Sequence, residues 1–515
     1  MVAVARNPER KRFKGAESEG IRLFSDAWKN QCLATESVSV FASPECLNED
    51  YTNAISACTA LHWGRIQRKE RDSSSNPQDS GVTIFLMQVI VFEDDAVDAL
   101  GVAVQARPAC DLTIGAFSLV ELLGRFGPVQ RVVRGHLERH LAGASLRQMA
   151  VWGGAVEKNH TLSPHRHSRM EDGFGDREQF VLFVNARAVP SADLIRAIQK
   201  LLNNHNTCCL ECHGYVAIAI VREPPEQRDR FIEQCKSLGT GLSQWLAEQN
   251  LNEHQSSLQH VVELVSESHE LFGAHERAIE GAIRMRLDQG EYEERKQGLY
   301  LAADAIVEEP VVVRRGPIVV EQGARIGPFV CLDGPIWIGR DARINPHAWI
   351  REATAIGRTC IVGGEVLSSV IESYSNKSHD GFLGHSRVGS WANIAAGTIT
   401  SNLKVTYGTI RSHTRRGTLD SGRQFLGATI GDFAKTGIHT SISCGVSIGV
   451  AAMAAGNVLR DVPDFSSDLG GTASRTSPQQ ASTVLGRMMA RRGIALIPAD
   501  TELLIELAAG LPSGG

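Results

Sequence analysis

The sequence predicts a chain of two folds in series, an α/β domain followed by a β-solenoid of hexapeptide repeats. Three observations predict it. From Ile326 to Val362 one aliphatic position recurs every six residues: Ile326, Leu332, Ile338, Ile344, Ile350, Ile356, Val362. The residue after several of them is small or turn-forming, as in Gly327, Asp333, Gly339, Asn345, Gly357 and Gly363. A period of six fits neither a helix nor a hairpin sheet; it fits a short strand plus a tight corner, repeated. Upstream, apolar strand-like runs alternate with helical patterns, which is α/β wiring. Finally, glycine is abundant, at 49 residues, and aromatics are scarce, at 6%, as a turn-dense solenoid with a thin aliphatic core requires.

The elements follow in order. Residues 1–86 are polar, Ser/Asn/Asp-rich over Asp72–Ser80 and without sustained periodicity, which predicts a disordered extension. Residues 87–223 are the α/β domain, with strands at Met87–Phe92, Phe180–Val184 and Tyr215–Val221 and helices at Ser118–Phe126 and Ser191–Asn203 in a mostly parallel sheet. Residues 224–299 are charged and helix-prone, a helical connector that carries Trp245, Leu246, Val261, Val262, Leu264 and Val265. The solenoid spans 300–463, with its rhythm broken around Ser373–Phe382 and Asn402–Gln424 and resumed at Ile430 and Ile448. Three hexads close one coil, so the segment gives about eight coils spaced by about 4.8 Å. Residues 464–515 hold a Gly/Ser/Thr-rich linker and helices near Gln479–Arg491 and Asp500–Ala509.

Composition excludes several classes. A net charge of −5 and a pI near 6.4 argue against nucleic acid as a partner. No apolar run approaches the ~20 residues that cross a bilayer, and the charged start at Met1–Lys14 has no apolar stretch behind it. The expectation is a cytoplasmic protein with no membrane partner. Eleven cysteines, an odd number and mostly scattered, argue against a disulfide framework. Cys209, Cys212 and His213 match the CxxCH spacing of haem attachment, but the segment runs into the strand at Tyr215, and a structural role is expected.

The stretch Ser378-His379-Asp380-Gly381-Phe382-Leu383-Gly384-His385, followed by Gly389 to Asn402 with Ala396-Gly397-Thr398, carries a resemblance. It is similar to the acetyltransferase half of the bacterial bifunctional enzyme that acetylates glucosamine-1-phosphate and uridylylates the product, and looks closest to a divergent branch of sugar nucleotidyltransferases. The resemblance covers about 150 residues and implies a left-handed coil and a homotrimer. It implies His379 as general base and Asn393 and Asn402 as sugar contacts. Arg351 falls at the substrate-phosphate arginine once a two-residue gap is allowed. Ala454 and Ala455 fall in the segment that borders acetyl-CoA. Two positions depart from the pattern: Leu367 replaces a lysine, and Phe382 a tyrosine, both acceptor contacts in the family. Lys377, Lys404 and Tyr407 are the available replacements; Asp380, Asn376 and His385 read as loop polarity, and Cys444 as a small core residue.

The implied chemistry is coherent. An amine attacking a thioester must lose a proton, and a neutral imidazole accepts it near neutral pH; a backbone N–H at a solenoid corner suits the oxyanion, and an arginine fork suits a sugar phosphate. The front domain resembles the opening of a sugar-1-phosphate nucleotidyltransferase, through Val89–Phe92 and Leu100–Ile114. There Glu93-Asp94-Asp95 stands where a Gly-rich phosphate loop is expected. Arg107 and Arg187 are its candidate phosphate contacts, with a nucleoside triphosphate as partner and Mg2+ as cofactor if the domain is active. Metal ligands are not assignable beyond Asn185 and Asp193 as guesses. The alternative is a non-catalytic trimeric scaffold that binds a sugar nucleotide with degenerate sites.

Overall fold

The computed structural model describes residues 87–151, 180–203, 207–222, 228–248, 258, 260–414, 417–469 and 473–510. The expected extension at 1–86 lies outside the described residues. Apart from 148–151, the described residues form one compact unit.

The front sheet has the order β2-β1-β3-β5-β4, with β1 at Gln88–Phe92, β2 at Val129–Val132, β3 at Phe180–Asn185, β4 at Cys208–Cys212 and β5 at Tyr215–Arg222. The first three pair in parallel, while β5 runs antiparallel to both β3 and β4. The parallel expectation therefore holds for one half of the sheet, and a hairpin extends the other. The turn of that hairpin is His213–Gly214, both at positive φ, which is what the CxxCH spacing encodes. Cys208, Cys209 and Cys212 are buried, and burial pushes the Cys209 thiol up to about 12.

β1 and β3 are apolar on both sides because helices cover both faces. On one face lie α1 (Leu119–Leu123), α3 (Ala192–Asn203) and α6 (Glu270–Gln289). On the other lie α4 (Arg228–Leu238) and α5 (Leu242–Glu248). The helical segment expected to be a connector thus supplies layers of the domain itself. Helix α2 (Gly135–Val151) and the C-terminal pair α7 (Pro478–Ala490) and α8 (Pro498–Ala509) complete the helices. Leu137 of α2, Leu485 and Met489 of α7 and Leu503 of α8 share a core with Val450 and Phe465 of the solenoid.

The solenoid has three parallel faces. The first runs from Leu299–Leu301 through Ile318–Val320, Ile336–Ile338 and Thr354–Ile356 to Ser447–Ile448. The second includes Arg325–Ile326, Arg343–Ile344, Ile361–Val362, Asn376–Lys377 and, after the bridge at Asn393, Lys435–Thr436 and Met453–Ala454. The third includes Cys331–Asp333, Trp349–Ile350, Glu365–Leu367, Phe382–Gly384, Ile399–Thr400 and Ser441–Ile442. The inward aliphatics are fully buried, each worth about 1.5–3 kcal/mol. Corners are turned by residues at positive φ, including Tyr374, Trp391 and Phe433. This backbone costs an ordinary side chain about 1–2 kcal/mol. Stacking along the corner offsets it: Tyr374 and Trp391 lie parallel with ring centroids 4.5 Å apart.

The two rhythm breaks have different causes. Regular coils place partners eighteen residues apart, as in Ile338 and Ile356. The first break is a contraction: Ile356 pairs Ile371 and Val362 pairs Lys377, and the next coil pairs Ile371 with Val388. The second is an insertion after Asn402 that carries a hairpin, Arg411–Thr414 with Gly417–Asp420. The coil then closes by pairing Val388 with Ile430.

Candidate active site on the solenoid

The contracted coils build the site. His379 lies on the corner between the second and third faces, just after Lys377, and its side chain is exposed. Lys377 occupies an inward position, in column with Val362 below it, yet carries an ammonium and is 2% exposed. Its Nζ donates to Gly363 O at 2.9 Å and to His379 O at 2.7 Å. Burial holds this lysine down at about 8. The lysine named in the sequence as a replacement acceptor contact is therefore a tether that fixes the turn beneath His379. Gly381 completes that turn at φ 126, where a Cβ would sit 2.0 Å from Thr398 O, so only glycine fits.

The other named residues divide between two faces. Asn393 is on the second face, where its Oδ1 lies 3.4 Å from Asn376 Nδ2, and Arg492 donates to Asn376 Oδ1 at 2.7 Å. Phe382, Asn402 and Arg351 are on the third face and its far corner. The Phe382 ring lies over Gly384, and Asn402 Nδ2 approaches the same glycine. An open groove of about 270 Å³ is lined by Phe382, Ile399, Thr400, Ser401, Ser441, Ile442 and Ser443. Arg351 NH1 donates to Glu365 Oε1 at 2.9 Å, and its guanidinium stacks 4.7 Å from the Trp349 ring centre. Within one chain, then, His379 and Asn402 stand at opposite edges of one face.

The acyl-donor segment is corrected in part. Ala454 is fully buried in the solenoid core, because its position is the inward one of its hexad. Ala455 is half-buried at the corner above Gly437. Backbone bonds from Gly397 to Asp380, His439 to Ala396 and Gly437 to Ala454 place this corner on the same edge of the solenoid as His379. Ile438 stands on that edge, 69% exposed.

The front-domain candidates are spent elsewhere. Arg187 is 2% exposed; its Nε and NH2 donate to Asp94 at 2.8 and 2.6 Å, and its NH1 to Val265 O at 3.0 Å. Arg107 pairs with Asp432 and with Glu372, which lies 3.4 Å away, joining the front domain to the solenoid. Glu93 and Asp94 are both wholly buried. Glu93 accepts from Arg134 Nε at 2.9 Å and from Ala109 N at 2.9 Å. Two members of the acidic run that replaces a phosphate loop, Glu93 and Asp94, are closed in internal ion pairs, which sequence spacing could not reveal, while Asp95 is exposed. Asn185 donates to Asp94 at 2.8 Å, and Asp193 pairs with Arg196 at the surface. Among the described residues no group of three or more His, Cys, Asp or Glu side chains could hold a metal ion.

Two participants escaped the sequence. His385 is bonded to Asn402, with Nδ1 2.8 Å from Asn402 Nδ2, and Glu276 of α6 faces its other nitrogen at 3.9 Å. A signal for the first existed: His385 and Asn402 are seventeen residues apart, the length of the contracted coil.

Comparison with known proteins bears on both halves. Residues 89–285 match the family model for sugar nucleotidyl transferases. A bifunctional protein GlmU of Methanococcus aeolicus is 39% identical over 150 residues, 29% of this chain and 36% of the relative. A bifunctional sugar-1-phosphate nucleotidylyltransferase/acetyltransferase of Sulfurisphaera tokodaii is 36% identical over 148 residues, 28% of this chain and 37% of the relative. The chain thus spans little more than a third of the length of these curated relatives. Among solved structures, the acetyltransferase domain of PglB from Neisseria gonorrhoeae, in complex with acetyl coenzyme A, aligns at 14% identity. It covers 39% of this chain and 66% of that one, with a TM-score of 0.16. No helix among the described residues is long and apolar enough to cross a membrane.

Proposed function

We propose that the solenoid catalyses acetyl transfer from acetyl-CoA to the amino group of a sugar phosphate, with His379 as general base. The observation that carries the reading is an exposed imidazole on a rigid corner, tethered from below by Lys377 and sharing its edge with Ala455. The amine lone pair attacks the thioester carbonyl, the C–N bond forms, the C–S bond breaks, and His379 takes the amine proton, which can then pass to the departing CoA sulfur. Asn393, Asn402, Phe382 and Arg351 supply the acceptor contacts, with Arg351 directed at the phosphate. The family matches and the printed names of the relatives support the substrate class. The reading includes a homotrimer, in which a neighbouring chain would bring a second solenoid edge to the groove. Exposed Ile399, Ile438 and Leu459 are apolar surface such an assembly would cover.

The front domain, by its match to the sugar nucleotidyl transferase model, is in this reading a nucleotidyltransferase-like domain in which Asp94 closes on Arg187 and Glu93 on Arg134, so that other groups would have to hold the nucleotide phosphates. The test uses acetyl-CoA and glucosamine-1-phosphate with the full chain. His379→Ala is expected to lower turnover about a hundredfold with unchanged circular dichroism. Equal turnover by both proteins, or none by either, removes the acyl-transfer reading. Pyrophosphate release from a sugar-1-phosphate plus UTP or dTTP with magnesium is the expected readout of nucleotidyl transfer by the front domain, and silence across a broad sugar panel would count against it.

A further inference from the structure

His385 turns the corner after Phe382–Gly384 at φ 48. Its backbone is fixed by bonds to Leu367 O at 2.9 Å and from Gly427 N at 2.8 Å. One ring face stacks on Phe425, with centroids 5.3 Å apart, leaving the side chain 14% exposed. The two ring nitrogens face different parts of the protein. Nδ1 meets the Asn402 carboxamide at 2.8 Å; Nε2 faces Glu276 Oε1 at 3.9 Å. Glu276 belongs to α6 of the front domain and is held in place by Ser368 Oγ on Oε1 and Arg423 NH2 on Oε2, each at 2.7 Å. Burial alone would raise this carboxyl, but the hydrogen bonds from Arg423 and Ser368 outweigh it and keep it below the usual range. Glu276 therefore stays ionised and points the imidazole proton toward itself.

That arrangement fixes a tautomer. With the proton on Nε2, Nδ1 is an acceptor, so the Asn402 amide N–H donates to it and the carbonyl Oδ1 is left for a ligand. If the ring gains a second proton, Nδ1–H confronts the amide N–H as donor against donor. The carboxamide must then turn over and offer its NH2 instead. We propose that Glu276, His385 and Asn402 form a relay in which the front domain sets the hydrogen-bonding polarity that Asn402 presents to the acceptor sugar. The proposal rests on the acyl-transfer reading of the solenoid, and His385 and Glu276 act in it as positioning residues. The charged groups around the ring are Glu276 from α6, Arg423 from the inserted arm, and Arg351 and Glu352 from the corner below. Burial holds the imidazole below its ordinary range, so the relay stands in its acceptor-presenting state at pH 7.

The test separates the bond from the backbone. Glycine and asparagine both adopt positive φ without the strain of other residues. His385→Gly therefore removes the ring while keeping the corner, and the Oδ1 of His385→Asn can replace Nδ1 as acceptor. With acetyl-CoA and glucosamine-1-phosphate, His385→Gly is expected to raise KM for the sugar phosphate about tenfold, the loss of about one hydrogen bond, with kcat within about threefold. His385→Asn should return KM to within about threefold of wild type. Nitrogen-15 spectra of labelled wild type should show a neutral, Nε2-protonated His385 at pH 7, with its Nδ1 signal displaced in Asn402→Ala. Active wild type with silent His385→Gly, or His385→Asn as impaired as His385→Gly, overturns the relay and leaves the acyl-transfer reading standing. If wild type transfers no acetyl group, that reading fails, and the ring spectrum alone decides the relay: a charged or Nδ1-protonated ring at pH 7 refutes it.

Discussion

Lowering the pH from 7 to 5 is expected to cost this chain about 2 kcal/mol through one imidazole. His275 of α6 is 2% exposed and clasps the front domain to the solenoid. Its Nδ1 accepts from Gly115 N at 2.9 Å, and its Nε2 lies 2.9 Å from Ala353 O. One nitrogen must therefore accept and the other donate, which specifies the neutral ring. A second proton would face the Gly115 N–H and be charged in a buried site, and burial accordingly holds the group down at about 4 against an ordinary 6.5. The sign follows from which state binds protons more readily. Above pH 6.5 both the folded and unfolded rings are neutral and the clasp is complete. As the pH falls toward 4 the unfolded ring takes a proton that the folded one refuses, so stability drops by about 1.4 kcal/mol per unit. Below the folded value the loss levels off at about 3 kcal/mol. The assay is the urea midpoint at 25 °C between pH 7 and 5 for wild type and His275→Gln. The difference cancels carboxylates that titrate in both proteins. The variant should lack the slope; parallel curves would refute the reasoning, and would mean that His275 is charged or hydrated in the folded chain.

Other outcomes follow from the same structure. Arg187→Met strands the Asp94 carboxylate, 1% exposed, with Asn185 as its remaining side-chain donor. It should cost about 3–5 kcal/mol, whereas Asp94→Leu combined with Arg187→Met should recover most of that; thermal melts of the three proteins check it. Lys377→Met replaces a buried ammonium by an aliphatic group in an aliphatic column. Wild type should gain stability as the pH rises from about 8 toward the ordinary 10.5, because the unfolded chain holds the proton longer. The variant should lack that gain, read as urea midpoints against pH.

The periodicity of six determined the solenoid by itself. A core one side chain wide favours aliphatics in the inward column, with Lys377, Thr400 and Thr436 as polar exceptions in the later coils, so the pattern survives in plain sequence from Ile326 to Val362. Strands buried on both faces, such as Gln88–Phe92 and Phe180–Asn185, were equally legible, as were the C-terminal helices. The stretch around His379 was singled out by its resemblance to the acetyltransferase half of the bifunctional family and not by the period. What only the tertiary structure decided is where charges go. Asp94 reads as an acidic residue in the place of a phosphate loop until Arg187, ninety-three residues away, is seen to close on it. Lys377 reads as a replacement acceptor contact until the contracted coil turns it inward. His385 acquires its role only because α6 brings Glu276 to its far side. Aliphatic burial is a local pattern repeated along the chain, whereas an ion pair or a tautomer depends on a partner at a sequence distance that no periodicity records.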